Sequence, residues 1–204
     1  MSKILTVVGA TGSQGRAVIS FFQQHEPTWR VRGLTRSPSS ASAQALAAKG
    51  VEIVQADLND PESLESAFKG ASYIFAYTDF GGILRSVLAN RQHDQDQDPS
   101  STSGLSIGEQ TVQMEAQHAR NIADAATTVP ELERLVWSAL PGAGRLSGGK
   151  YAGMFNFEGK AEGTKYLFAL AGLEGKVGVV HMGAFVETVF TSGSLFGFRV
   201  VSIL

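Results

Sequence analysis

A chain of 204 residues with 43% hydrophobic side chains suits one globular domain with a sizeable core, and no apolar run approaches the roughly 20 residues of a membrane span. The formal charge of −2 supplies no basic field, which argues against direct nucleic-acid binding. The absence of cysteine excludes disulfides, thiolate metal sites and cysteine nucleophiles, and it suits a cytoplasmic protein, or one also found in the nucleus.

Ile4 to Val8 is a run of aliphatic and β-branched residues, and it reads as a strand buried on both faces rather than a signal peptide. The chain then turns through Gly9, Gly12 and Gly15 and resumes with helical spacing, Ala17, Val18, Phe21 and Phe22 falling on one side. The spacing is Gly-x-x-Gly-x-x-Gly rather than Gly-x-Gly-x-x-Gly. The physical demand is the same: a tight reversal, a close approach of backbone to pyrophosphate, and a helix packed hard on its strand. The start of that helix, through Thr11, Ser13 and Gln14, would turn backbone N–H groups toward the phosphates. A plain glycine-rich turn is the alternative.

Arg30 to Arg36 reads as the second strand, and Ser42 as the cap of a short helix running to Ala48. Val51 to Val54 is the third strand. Asp60 is an expected N-cap with Pro61 in the first helical position, and Leu64, Ala67 and Phe68 form that helix's apolar face. Ala71 to Tyr77 is the fourth strand. Residues 90–104 are polar and low in complexity, and read as a mobile loop. His93 with Asp94, Asp96 and Asp98 lies there, and alternating acids on such a segment are normally solvated rather than metal ligands. A long helix follows over Ile107 to Thr127, whose alanines permit close approach to the sheet or to a second copy in a homodimer. Leu135 to Leu140 is the fifth strand, residues 141–149 are glycine-rich, Phe157 to Ala171 is helical, and Lys176 to Met182 is the sixth strand. This alternation predicts an α/β fold, a Rossmann-type doubly wound parallel sheet in a single domain over residues 1–204.

At the end of the second strand an acid would select NAD and an arginine would accommodate the 2′-phosphate of NADP. Arg36 and Ser37 stand there without an acid, so NADP(H) is the expected cofactor. Asp57, followed by Leu58, sits where an adenine edge would lie; it can accept from the adenine amine or close a local turn. Tyr77 and Thr78 end the fourth strand at the edge where ligands collect. A short-chain reductase also needs a tyrosine acid with a lysine four residues later. No tyrosine here has that lysine; the matching slot runs from Asn156 to Lys160, and asparagine has no proton to give. Ser138 and Lys160 are the remaining catalytic candidates, as hydroxyl donor and ribose ligand.

Gly9-Ala-Thr-Gly-Ser-Gln-Gly15, Thr35-Arg36, Val54 to Leu58, Ser147-Gly-Gly-Lys-Tyr151 and Phe157-Glu-Gly-Lys-Ala161 together resemble the NmrA-like proteins, atypical members of the short-chain dehydrogenase superfamily. The likeness runs from Lys3 to about Phe190. It implies an NADP-preferring Rossmann domain that has often lost the catalytic tyrosine. Some relatives are redox sensors that bind a transcription factor, and others are reductases. By position, Gly9, Gly12, Gly15 and Arg36 would bind cofactor, Lys160 would face the nicotinamide ribose, and Gly183 and Phe185 would pass near the nicotinamide. Family members usually continue further, into a smaller lobe. Here that lobe is expected to be shortened, ending in the apolar tail 194–204, which could add an edge strand or pair with a second copy. The first expectation is an NADP(H)-binding regulator, with a regulatory protein as partner and weak or no catalysis. An NADPH-dependent reductase and a truncated, non-functional member are the alternatives.

Overall fold

The computed structural model describes residues 2–97 and 104–183. Phe185 and the apolar tail 194–204 lie outside them, as does part of the expected loop. The elements follow in order as β1 (Ile4–Val7), α1 (Ser13–His25), β2 (Arg30–Thr35), α2 (Ala41–Ala47), β3 (Glu52–Gln55), α3 (Pro61–Phe68), β4 (Tyr73–Ala76), α4 (Phe80–Gln97), α5 (Ile107–Thr127), β5 (Arg134–Ala139), α6 (Ala143–Leu146), α7 (Phe155–Ala169) and β6 (Val177–His181).

The six strands form one parallel sheet in the order β3-β2-β1-β4-β5-β6. Strand order reverses between β1 and β4, and a crevice opens at that point beyond the carboxyl ends of the strands. This is the doubly wound Rossmann-type arrangement. Side chains alternate across the sheet. Leu5, Val7, Val31 and Phe75 face a layer with Ile19 of α1 and Leu46 of α2. Val8, Ile74, Leu135 and Trp137 face the opposite layer, with Leu64 and Phe68 of α3, Ile122 of α5 and Leu167 of α7. A sheet covered on both faces explains why its strands read as continuous apolar runs.

Local chemistry sets the helix starts. Asp60 accepts from the Ser63 N–H at 3.2 Å with Pro61 in the first turn. Ser106 and Glu109 close a reciprocal capping box at the start of α5. The cap of α2 is Ser40, not Ser42: Ser40 accepts from the Ala43 N–H at 3.3 Å, two residues earlier than the spacing suggested.

Two further expectations change. The buried side of α1 is Gly15 and Ile19, with Val18 and Phe22 half-buried, whereas Phe21 is 56% exposed and stacks on His25. Gly15 fixes this rotation, because it rests against the Gly9 carbonyl and Ala10 and carries residues three and four positions later inward. Residues 90–97, expected as loop, instead extend α4. Ile83 and Val87 anchor its first turns in the core, and Arg91 reaches across to Gln110, its Nε 3.1 Å from Oε1, and to the Leu105 carbonyl. The end of the helix is polar in sequence, so it carries no apolar periodicity to reveal it. Among the described residues no helix is long and apolar enough to cross a membrane.

Helices α5 and α7 pack at glycine distance. A Cβ on Gly163 would lie 2.5 Å from the Ala119 Cβ and 3.3 Å from the Trp137 ring. Gly163→Ala is therefore expected to destabilise the fold by about 1–3 kcal/mol through overpacking, read as a lower midpoint in urea unfolding with an unchanged slope.

Candidate functional site

The glycine turn closes on one carbonyl. Gly9 takes φ of +69°, a conformation that glycine adopts freely, and its oxygen accepts from the Gly12 N–H at 3.0 Å. At Gly15 a side chain would strike that same oxygen at 2.4 Å and the Ala10 Cα at 2.8 Å, so only glycine lets α1 seat on β1. The first helical bond runs from the Arg16 N–H to the Gly12 oxygen, and Gly12 offers no side-chain cap. The N–H groups ahead of Arg16, on Ser13, Gln14 and Gly15, project from an uncapped helix end.

A cleft of about 820 Å³ lies over this turn, at the point where strand order reverses. It brings together Gly9, Thr11 and Gly12 from the turn, Arg36 and Ser37 from the end of β2, Asp57 and Leu58 from the end of β3, and Tyr77 from the end of β4. Arg36 and Ser37 are exposed, and the Arg36 guanidinium makes no hydrogen bond or ion pair among the described residues. Ser13, Gln14 and Gly15 stand behind the turn, outside the lining.

The Asp57 carboxylate has adopted the local alternative. Its Oδ1 accepts from the Asn59 backbone N–H at 2.9 Å and the Asn59 side-chain amide at 3.0 Å. With that amide committed as donor, Asn59 Oδ1 is an acceptor for His118 Nε2 at 2.9 Å. His118 is buried, and burial pulls its pKa below the usual imidazole value. The network places a proton on Nε2, and Nδ1 has no hydrogen-bond partner among the described residues. Asn121, one turn further along α5, donates to the Leu58 carbonyl at 2.7 Å. The four histidines are scattered along the sequence, and each reads there as structural or solvated rather than catalytic. The available signal was His118 and Asn121, two polar residues one turn apart on the side of α5 that meets the loop after β3.

Tyr77 crosses the cleft to the glycine turn. Its hydroxyl donates to the Gly9 carbonyl at 3.0 Å, and a Cβ on Gly12 would lie 2.1 Å from the phenol oxygen. Burial, reinforced by Asp79 and opposed by Arg16, raises the phenol's pKa, so it stays a donor.

Thr78 and Lys160 join Glu115 in a separate group outside the cleft lining. The Lys160 ammonium donates to the Thr78 carbonyl at 3.0 Å, to the Thr78 hydroxyl at 3.2 Å and to Glu115. The Thr78 hydroxyl in turn donates to Glu115 Oε1 at 2.7 Å. An ammonium has three N–H donors, and all three are occupied. A ribose contact from Lys160, as the resemblance implied, therefore requires one of these bonds to be exchanged. Glu115 is fully buried, and burial outweighs its lysine and threonine partners to raise its pKa above the ordinary 4.5. Its other oxygen lies against Gly159, where a Cβ would approach to 2.3 Å. Sequence reasoning passed over Glu115, although a charged residue on the apolar stripe, four before Ala119 and seven before Ile122, was the signal. Ser138 is buried at the end of β5, its hydroxyl without a hydrogen bond among the described residues. Asn156 is exposed one turn before Lys160, and Gly183 is exposed just past β6.

Comparison with known proteins follows the same outline. The model of the NmrA-like family matches residues 1–192. The NmrA-like family domain-containing oxidoreductase himF of Aspergillus japonicus is 33% identical over 147 residues, 72% of this chain and 37% of that protein. FrzB of Cladobotryum sp, with the same description, is 44% identical over 71 residues, 35% of this chain and 21% of that protein. Among solved structures, the NADPH-dependent quinone oxidoreductase QOR2 of Escherichia coli, complexed with NADPH, superposes with a TM-score of 0.62 at 21% identity, covering 94% of this chain and 53% of that one. NmrA, a negative transcriptional regulator, superposes at 0.60 and 18% identity, covering 91% and 47%. The chain thus spans about half the length of these structures and about a third or less of the two curated relatives.

The buried pair gives a test with a defined sign. Lys160→Met leaves Glu115 enclosed without its cation, which should cost about 3–5 kcal/mol at neutral pH. A carboxyl whose folded pKa is raised contributes stability that is complete below its unfolded value near 4.5 and is lost as pH rises through the folded value. Urea unfolding of the variant should therefore show a deficit that is greatest near pH 7 and narrows toward pH 4.5.

Proposed function

The chain belongs to the NmrA-like family, and from that premise we propose that it is an NADP(H)-binding regulator with weak or no hydride transfer. The observation that carries the reading is the joining of the glycine turn and the unpaired Arg36 in one cleft at the reversal of strand order. The residues suit the adenosine end of a dinucleotide. Arg36 and Ser37 would hold a 2′-phosphate, and no acid stands at the end of β2 to repel it. The uncapped start of α1 would favour a pyrophosphate. When bound, such a group supplies a hydride donor or acceptor. NmrA has been solved with NAD and QOR2 with NADPH, and both partners suit the chemistry of this cleft.

Weak catalysis follows from what surrounds the expected reacting end. Lys160 spends its donors on Thr78 and Glu115, Ser138 has no partner among the described residues to activate it, and Asn156 lacks a titratable proton. General acid–base catalysis typically contributes about 10²–10⁴-fold, so its loss leaves at best a slow enzyme. A change of cofactor occupancy would then be the signal passed to a protein partner. The second reading is an NADPH-dependent reductase, favoured by the oxidoreductase descriptions of himF and FrzB.

Two measurements test these readings. In calorimetry NADP(H) should bind at least several-fold tighter than NAD(H), and Arg36→Ala should remove most of the difference, a loss of about 1.5–3 kcal/mol. Equal affinity for the two would overturn the cofactor assignment. Incubation with NADPH and a panel of quinones, ketones and aldehydes should give little or no oxidation at 340 nm absorbance. Robust turnover that disappears in Ser138→Ala would replace the regulator with the reductase.

A further inference from the structure

Resting on the reading of the cleft as a dinucleotide site, we propose that Tyr77 makes the site selective by covering its phosphate end: the adenosine-2′-phosphate half enters freely, and the whole dinucleotide enters only when Tyr77 leaves the glycine turn.

The geometry is specific. Gly12 is the position where the absence of a side chain allows phosphate to approach the backbone. In this protein the space beside it is filled by the Tyr77 hydroxyl, 2.1 Å from where a Cβ would stand. The ring also lies 2.7 Å from the corresponding position on Gly9, so it spans both glycines. The phenol is held by its bond to the Gly9 carbonyl, and its ring is tilted 54° against Phe75 at 6.3 Å between centroids. A phosphate over Gly12 and the phenol in its present place would overlap. Arg36, Ser37 and Asp57 lie on the far side of the cleft, at the ends of β2 and β3, so a ligand confined to that end meets no obstruction from Tyr77.

Movement of Tyr77 breaks one hydrogen bond and lifts a half-buried ring, on which Asp79 of the cleft and Arg16 of α1 act electrostatically. A ligand that binds only the uncovered form has its apparent affinity reduced by the fraction of molecules so arranged. Selectivity between the two ligands is therefore set at residue 77, away from the residues that recognise the adenosine end.

The test compares NADP⁺ with adenosine 2′-monophosphate, which lacks the pyrophosphate, by calorimetry on the wild-type chain and on Tyr77→Phe and Tyr77→Ala. Tyr77→Phe retains the ring and its packing, and it serves if the alanine variant does not fold. Removal of the Gly9 bond should tighten NADP⁺ binding by roughly three- to ten-fold in Tyr77→Phe, and at least as much in Tyr77→Ala. Affinity for adenosine 2′-monophosphate should stay within about two-fold, as expected for a site untouched by the change. Weaker NADP⁺ binding in both variants would make Tyr77 a ligand contact and overturn the proposal. An unchanged ratio of the two affinities, with both probes bound, would make it a bystander and overturn it equally. If neither probe binds any of the three proteins, the dinucleotide reading itself falls, a distinct outcome.

Discussion

Glu115 places a carboxylate where water does not reach, and two helices and a strand end are arranged around that requirement. It sits on α5, its cation comes from α7, and its hydroxyl donor comes from the end of β4. The three parts can meet only because α7 presents glycine toward α5: Gly159 faces the carboxylate and Gly163 faces Ala119. Trp137 then fills the space beneath, its indole N–H donating to the Thr164 hydroxyl at 3.1 Å, which itself donates to the Lys160 carbonyl at 2.8 Å. The charge, the small residues and the large ring are one solution to one packing problem.

That knot also divides the top of the sheet into two chemically different halves. On one side lies a cleft with the Arg36 guanidinium, which makes no bond among the described residues, and, close by, His118 Nδ1, likewise without a partner there. On the other, Lys160 and the Thr78 hydroxyl commit their donors to Thr78 and Glu115 Oε1, while Glu115 Oε2 accepts no hydrogen bond among the described residues. Preorganised binding surfaces retain unpaired donors and acceptors, whereas groups already saturated must exchange partners before they act. The guanidinium without a partner lies in the cleft, while the lysine expected at the reacting end is already committed.

The fold was legible in the sequence wherever structure is local. Ile4 to Val8, the glycine turn, Asp60-Pro61 and the alanine stripe of α5 each fix their element through neighbours along the chain, and a parallel sheet with helices on both faces follows from the alternation. Arg36 was legible for the same reason: its place is set by the end of a strand. What could not be read depends on distant partners. Tyr77 meets Gly9 across 68 positions and Lys160 meets Glu115 across 45, and no spacing rule links them. The far end of α4 was missed because its polar sequence carries no apolar rhythm. The rotation of α1 was missed because a single contact, Gly15 on the Gly9 carbonyl, overrides the apparent stripe of Phe21 and Phe22.

The polar stitching of α5 to the loop after β3 has a consequence for how the cleft comes into being. Asn121 holds Leu58 and His118 holds Asn59 across 63 and 59 positions. The residues they brace belong to the first half of the fold, while the brace itself is contributed by the second. During synthesis, the strands β1 to β3 and their glycine turn can emerge and pair before α5 exists. Until α5 docks, the wall of the cleft that Met114 and His118 supply is open water, and the loop after β3 is held from the α3 side, through Ser63. The part of the chain that looks most like a nucleotide-binding motif is therefore insufficient to make the pocket; the pocket is a late product of long-range closure, assembled only when the chain returns from the far side of the sheet.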